Sequence, residues 1–549
     1  VTIVLSIMAI VSLILSVVLV TNTLTAVITQ QTDQIGVMKA IGGRRSAIAR
    51  SYLVSVMLIG FLALLIALPL SLAVAYGGTR WFLNIFNIDY TIFQFSPRAV
   101  NYQVLAALLA PLLAALWPVM KGARISVREA IATYGLGSDF GSSALDRGID
   151  ALGRRFLPTA YAAALGNMFR RKGRLVLTLL GLTTSGVMFL VVMSLISSTR
   201  LTLDNDMARR SYDIRIGFSQ PQSGSDVRDV MREIDNVAEA ETWFSHNATI
   251  LRDGQRLQDS TGLGAQLTGI PAASTMEQPL IIDGRWLQPD DGNDIAISRE
   301  TAVENDLAVG DMVTLDLGSL GEDEWQVIGI YKSFYNTGFV TESLYAPLDA
   351  VEESTGLSDI AIFILIRTTT TAPEAVAAVA DDVKSAFEDE GMKIDLYTTA
   401  LKSDQRRDLD NQFNSVIGML QGLAMLAATV GGIGLMGALG ISVVERTREI
   451  GVLRAIGARS RSILSLFMME GLLQGFLSWL VAVPLAFVLA RPMAELLGRT
   501  MVDVELDYAF NWQAVLFWFG TILVISIVAS LLPALRATRV SVRESLAYA

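Results

Sequence analysis

The sequence predicts a polytopic α-helical membrane protein, with seven spans and one extracytoplasmic mixed α/β domain. Three observations predict it. The 549 residues are 52% hydrophobic, with a mean hydropathy of +0.47, a level soluble chains of this length seldom reach. Seven apolar runs are each long enough to cross roughly 30 Å of hydrocarbon. The net charge of −10 also divides sharply: residues 200–412 hold 17 basic and 39 acidic side chains, net −22, whereas the remainder holds 26 and 14, net +12.

The apolar runs cover 1–28, 49–76, 99–119, 175–197, 416–443, 463–490 and 514–535. Every second loop is basic: Lys39, Arg44 and Arg45; Lys121, Arg124 and Arg128; Arg154, Arg155, Arg170, Arg171 and Lys172; Arg446, Arg448, Arg454, Arg459 and Arg461; Arg536, Arg539 and Arg543. Alternating spans put these loops on one face, and their Lys/Arg excess marks it as cytoplasmic. The acidic domain then lies outside, and so does Val1. Because Val1 opens inside an apolar run and no cleavable leader pattern follows, further sequence is expected upstream. Within the acidic region, 213–216 and 325–330 read as strands and 372–390 as a helix ending near Gly391. The polar stretch 401–413 has a helical period and should run on into the span at Val416 as a stalk.

Several chemistries are excluded. The chain has no cysteine and one histidine, so thiol catalysis, disulfides and zinc sites built on Cys/His clusters are out. His246 lies in the polar stretch Ser245-His246-Asn247 and is expected at the surface. No Gly-x4-Gly-Lys-Ser/Thr occurs, so there is no phosphate-cradling loop, and no acid, base and nucleophile constellation marks an enzyme. Glu470 stands inside a span, where charge is a functional hypothesis by default, although snorkelling to the interface explains it equally. Gly431, Gly432, Gly434, Gly437 and Gly440 crowd one span and read as helix packing. Pro69 and Pro484 should bend theirs.

The most informative feature is an internal repeat. The segment from Thr32 to Arg45 aligns with that from Thr447 to Ser460 at an offset of 415, with eight of 14 positions identical. The same offset carries Pro69 onto Pro484, Pro118 onto Pro533, and Arg124-Ile125-Ser126-Val127-Arg128-Glu129 onto Arg539-Val540-Ser541-Val542-Arg543-Glu544. Each repeated segment is short, basic and amphipathic and lies between two spans, which predicts an interfacial helix; Gly457 supplies its stop. A positive-inside anchor is the plain reading. Duplication without a gap favours a docking element used twice, for a two-fold symmetric partner.

Thr-Arg-Glu-Ile-Gly-Val-Leu-Arg-Ala-Ile-Gly-Ala at 447–458 resembles the signature of the FtsX-like permease family. So does the close of the repeat at Pro533-Ala534-Leu535-Arg536-Ala537. Gly284-Arg285-Trp286, Asp294-Ile295-Ala296-Ile297-Ser298, Leu307-Ala308-Val309-Gly310-Asp311 and Val327-Ile328-Gly329 resemble the periplasmic domain of MacB-type permeases. The run from Asn167 to Arg174 is similar to the family's pre-span segment. On this resemblance 1–130 is a first FtsX-like repeat with three spans, lacking its first span and outer domain. Then come a cytoplasmic linker (131–173), the first span of the second repeat (174–199), the MacB-like domain (200–412) and the second repeat's three spans (413–549).

The resemblance implies a permease subunit of an ABC transporter in a bacterial cell (inner) membrane. It would relay ATP-driven motion of a separate ATPase dimer to the outer domain, to export or extract a hydrophobic, lipid, lipoprotein or peptide substrate. Thr447, Arg448, Glu449, Ile450, Gly451, Arg454 and Gly457 would couple to the ATPase, with Thr32, Ile35, Gly36, Lys39 and Gly42 as first-repeat counterparts. Charged contacts from Arg448, Glu449 and Arg454 would orient the helix, while Ile450 and Leu453 filled an apolar groove. Asp33 and Gln34 replace the Arg-Glu pair in the first repeat. The chain itself would bind no cofactor or metal, with ATP and Mg held by the partner. Membrane lipid and a membrane-fusion adaptor are further expected partners; nucleic acid is not. Two alternatives stand beside this: an FtsX-type regulator of an extracytoplasmic cell-wall hydrolase, and a secondary transporter.

Overall fold

The computed structural model describes residues 2–85, 95–127, 172–257, 265–271, 273–332, 342–502 and 505–539, with isolated positions between them. The linker expected at 131–173 and the repeat close at 540–544 therefore lie almost wholly outside the described residues. The chain divides into a helical unit (Val1–Ser197, Ser415–Met493 and Ala509–Ala549) and an α/β unit (Ser198–Asn414 and Ala494–Tyr508).

In the helical unit, α1 (Thr2–Gln30) is followed by the short α2 (Thr32–Ala40), then α3 (Arg45–Ile85) and α4 (Pro97–Arg124). After the linker, α5 (Lys172–Ala208) leads into the α/β unit. Among the described residues, seven helices are long and apolar enough to cross a membrane, and they coincide with the seven runs read from the sequence. Most extend beyond them, because a helix's backbone bonds continue into polar flanks that hydropathy alone does not register. α3 continues through Pro69.

In the α/β unit the elements are β1 (Ile214–Ser223), α6 (Gly224–Arg232), β2 (Val237–Arg252), β3 (Gln255–Arg256), β4 (Ala265–Ile270), β5 (Leu280–Gly284), β6 (Asp294–Ser298), α7 (Arg299–Glu304) and β7 (Met312–Asp316). They continue with β8 (Glu322–Lys332), β9 (Glu342–Pro347), α8 (Leu348–Thr355), β10 (Ile360–Thr368), α9 (Pro373–Asp389) and β11 (Ile394–Leu401). The sheet order is β11-β1-β10-β2-β4-β9-β6-β8-β5, with β7 bridging β2 and β8. Pairing is antiparallel except β4 with β9 and β6 with β8.

The long strand β2 spans two cores. At one end Ile214, Ile216, Ile364, Val379, Val383 and Phe387 pack under α6 and α9. At the other, Leu267, Ile297, Leu315, Trp325, Val327 and Leu344 form the second core. The alternation of Ile214 and Ile216 with Arg215 is a half-buried strand's pattern, and Arg215 sets its guanidinium 4.1 Å over the Phe363 ring. His246, expected at the surface, is only partly exposed. It sits half-buried on β2 with Nε2 3.3 Å from the Leu317 carbonyl, and burial lowers its pKa.

The remaining helices are α10 (Lys402–Glu445), α11 (Thr447–Ala455), α12 (Ser460–Val502) and α13 (Trp512–Ala537). The expected stalk is the first part of α10. Inside the α/β unit it is tied to the end of α5: Arg210 pairs with Asp206 at 3.0 Å and donates to Gln405 at 3.3 Å. Arg406 pairs with Asp204 there, and Lys402 donates to the Arg210 carbonyl.

Candidate functional site: the paired interfacial helices

α2 and α11 are anchored alike. Each starts one residue after a long helix ends, and a threonine ties it back to that helix. Thr32 donates to the Ile28 and Thr29 carbonyls at 3.1 and 3.0 Å. Thr447 does the same to Val443 and Val444 at 3.2 and 2.8 Å. Each ends on a glycine with positive φ, Gly42 at 97° and Gly457 at 99°. There the following amides cap the last carbonyls, as Gly43 N to Met38 O and Ala458 N to Leu453 O. A side chain at either glycine would strain that turn.

The inner face of each helix belongs to the protein. Ile35 packs with Ile28, Ile48 and Val119; Ile450 packs with Val443, Phe467 and Ala534. Gly36 and Gly451 are also buried. The basic residue of each turns the same way. Lys39 Nζ donates to the carbonyls of Ala123, at 2.8 Å, and Ile125, and Arg454 donates to the carbonyl of Thr538. Ala123 and Thr538 are equivalent at the offset of 415, and both lie at the C-terminal end of the last span of their repeat. A cation there meets the helix dipole's negative end and the carbonyls without intrahelical partners. Of the residues expected to meet a partner, Ile450 is buried within the chain and Arg454 bonds the Thr538 carbonyl.

What each helix presents outward is apolar. Val37, Met38 and Ile41 are exposed on α2 and its stop; Val452, Leu453 and Ile456 are exposed at the same offsets in the second repeat, with Ile41 and Ile456 at 82% and 76%. Arg448, Glu449 and Gln34 are exposed beside them.

Among the differences between the repeats is a charge cluster that includes a residue singled out in the sequence, Glu470. Its side chain is buried in α12, where Arg446 Nη1 lies 3.4 Å from Oε2 and Ser442 Oγ 3.4 Å from Oε1. Arg446 also donates from Nε to Glu449 at 2.9 Å and lies 5.4 Å over the Phe467 ring. Next to it Arg174 of α5 pairs with Glu445 at 2.8 Å. The first-repeat equivalents of Glu445, Arg446, Glu449, Phe467 and Glu470 are Gln30, Gln31, Gln34, Tyr52 and Ser55. There Tyr52 donates its hydroxyl to Gln31 at 2.6 Å, and Ser55 bonds back to the Ser51 carbonyl. Sequence reading missed Arg446, Phe467 and Tyr52 as a set. Comparing the repeats column by column, beyond their shared residues, would have found it.

Two family models match, and they tile most of the chain. The model described as the FtsX-like permease C-terminal region covers residues 6–127 and again 422–542, and the MacB-like periplasmic core domain covers 175–386. This chain belongs to the FtsX-like permease family. It is similar to an ABC transporter permease of Methanocaldococcus jannaschii, at 25% identity over 280 residues, 48% of this chain and 65% of that one. It is also similar to the macrolide export ATP-binding/permease protein MacB of Psychrobacter cryohalolentis, at 28% over 233 residues, 41% of this chain and 33% of that one. Among solved structures, the periplasmic region of MacB from Actinobacillus actinomycetemcomitans matches at 12% identity and a TM-score of 0.27, covering 38% of this chain and 98% of that one. The permease thus spans less than two thirds of either of these curated relatives.

Proposed function

We propose that this permease is the membrane subunit of an export or extraction machine driven by a separate ABC ATPase dimer, docked on α2 and α11. The observation that carries the reading is the repeated outward triad, Val37/Met38/Ile41 and Val452/Leu453/Ile456, held on two helices anchored by equivalent bonds. Two like surfaces related by an internal repeat suit a two-fold partner. An exposed apolar patch rimmed by polar residues marks an interaction site. On this reading ATP and Mg are held by the ATPase partner. The α/β domain faces outward from a bacterial inner membrane, where it handles a hydrophobic, lipid, lipoprotein or peptide substrate. A membrane-fusion adaptor is a further partner of this arrangement. Support for transport over hydrolase control comes from the relative whose name joins ATP binding to export. Glu470 is held in an ion pair, which disfavours a proton-coupled carrier.

The test is co-purification of the chain with a co-expressed ABC ATPase. Burying an isoleucine side chain stabilises by roughly 1.5–3 kcal/mol, so Ile456→Asp should weaken binding roughly ten- to hundredfold. Ile41→Asp should do the same at the other site. If both variants, and the double variant, retain the ATPase like the parent, the helices are membrane anchors only.

A further inference from the structure

We infer that the two interfacial helices are mechanically unequal, because Arg446 is a positioning residue that locks α11 to α12 and the first repeat has only a neutral substitute. Arg446 is the single residue between α10 and α11, the joint at which motion of the short helix must enter the spans. Its guanidinium holds a carboxylate on either side: Glu449 on the short helix at 2.9 Å and the buried Glu470 inside α12 at 3.4 Å. The Phe467 ring, one turn before Glu470, forms its floor. Arg174 and Glu445 add a second ion pair at the same level, bringing in α5.

A buried carboxylate cannot let its counter-ion go without being left unpaired in a low-dielectric site. α11 and α12 are therefore held to move as one body. At the corresponding joint, Gln31 meets Tyr52 through one neutral hydrogen bond, and no carboxylate stands at 34 or 55. That bond can be exchanged for water at little cost, so α2 can swing relative to α3. Both joints otherwise share the threonine tie, the buried isoleucine and the basic anchor. At the joint itself, the second repeat carries this charge cluster where the first has Gln31, Gln34, Tyr52 and Ser55. As a consequence, resting on the docking reading above, the second repeat transmits the partner's movement while the first follows it.

The joint can be measured without any ATPase, because the chain has no cysteine. Spin-label pairs at equivalent positions, Val452 with Leu480 and Val37 with Leu65, are all on exposed side chains. In lipid nanodiscs the Val452–Leu480 distance distribution should be narrow and the Val37–Leu65 distribution broad. Arg446→Gln should broaden the first, and Arg446→Lys, which keeps a cation between the carboxylates, should retain most of the sharpness. The swap Arg446→Gln/Phe467→Tyr/Glu470→Ser should give the first pair the width of the second, and it installs residues that already fold in the other repeat. Equal widths in the parent, or a swap that leaves the width unchanged, overturns the inference. In the unlabelled chain, whose outward triad is intact, the swap should leave ATPase binding unchanged. A parent that binds no ATPase refutes the docking reading and leaves the width comparison standing.

Discussion

At the scale of single residues, α12 and α13 are held together by what is missing. A Cβ at Gly471 would lie 1.8 Å from Ser530 Oγ, and one at Gly475 would lie 2.1 Å from Ser526 Oγ. Two glycines four apart face two serines four apart, the small-residue geometry that lets spans approach closely. Gly471→Leu should therefore force the helices apart, with overpacking costs of roughly 1–3 kcal/mol or more. Thermal unfolding in nanodiscs should show a lowered Tm for Gly471→Leu, a smaller drop for Gly471→Ala, and partial recovery in Gly471→Ala/Ser530→Ala. A parent-like Tm for Gly471→Leu would contradict the packing. The sequence showed a different glycine cluster, at 431–440. Of those residues, Gly431 and Gly432 are packed closely, against Ser185 and Ile525, while Gly437 and Gly440 face open space. Small residues can be counted along one helix, but which of them meet a neighbour depends on a pairing no single helix encodes.

At the scale of elements, the turn after β5 shows why a short motif was readable before its purpose was. Gly284 has no room for a side chain, since a Cβ would sit 2.2 Å from the Ile328 carbonyl. Trp286 packs edge-on to Tyr345 at 5.4 Å, and Arg285 grips Asp291 with two bonds of 2.7 and 2.6 Å. Asp291 also accepts from the Gln288 amide at 2.7 Å. The motif was visible; Asp291, its acceptor six residues on, was not, because the bond closes an irregular loop with no periodicity to betray it. The Arg285 bond holds the Asp291 carboxyl below its usual value. A depressed pKa contributes stability above the unfolded value of roughly 3.9, and that contribution fades as pH falls through the lower folded value. Asp291→Asn should thus lower the melting temperature at neutral pH. It should also flatten the acid-side decline relative to the parent, measured on the full chain from pH 7 down to pH 3. An unchanged acid limb would mean the pair adds nothing. The strands at 213–216 and 325–330 were legible from their alternation, as was α9 with its stop at Gly391. Only tertiary pairing stretches β1 to Ser223, through a polar run that alternation could not assign.

For the whole molecule, the decisive information was long-range and lay in the chain itself: a repeat at constant offset and a charge asymmetry between loops. Hydropathy located the seven spans because hydrocarbon demands long apolar runs. The repeat located both short helices, down to the lysine and arginine that anchor them. It could not tell which side chains turn inward, because Ile450 and Leu453 share one helical period and packing alone separates them. Sidedness is the remaining property of the whole chain, and it rests on the basic loops. If those loops are cytoplasmic, Arg459, exposed after Gly457, and Arg44, its first-repeat neighbour in position, lie on the ATPase side. Tyr397, fully exposed on β11, then lies on the outer side. Single cysteines at these three positions in the cysteine-free background give a direct assay with a membrane-impermeant maleimide on intact cells. Tyr397→Cys should label at once, and Arg44→Cys and Arg459→Cys only after the membrane is opened. Labelling of Arg459→Cys in intact cells, with Tyr397→Cys protected, would invert the orientation. It would also remove both short helices from reach of any cytoplasmic ATPase, so the proposed energy source would fall with the topology.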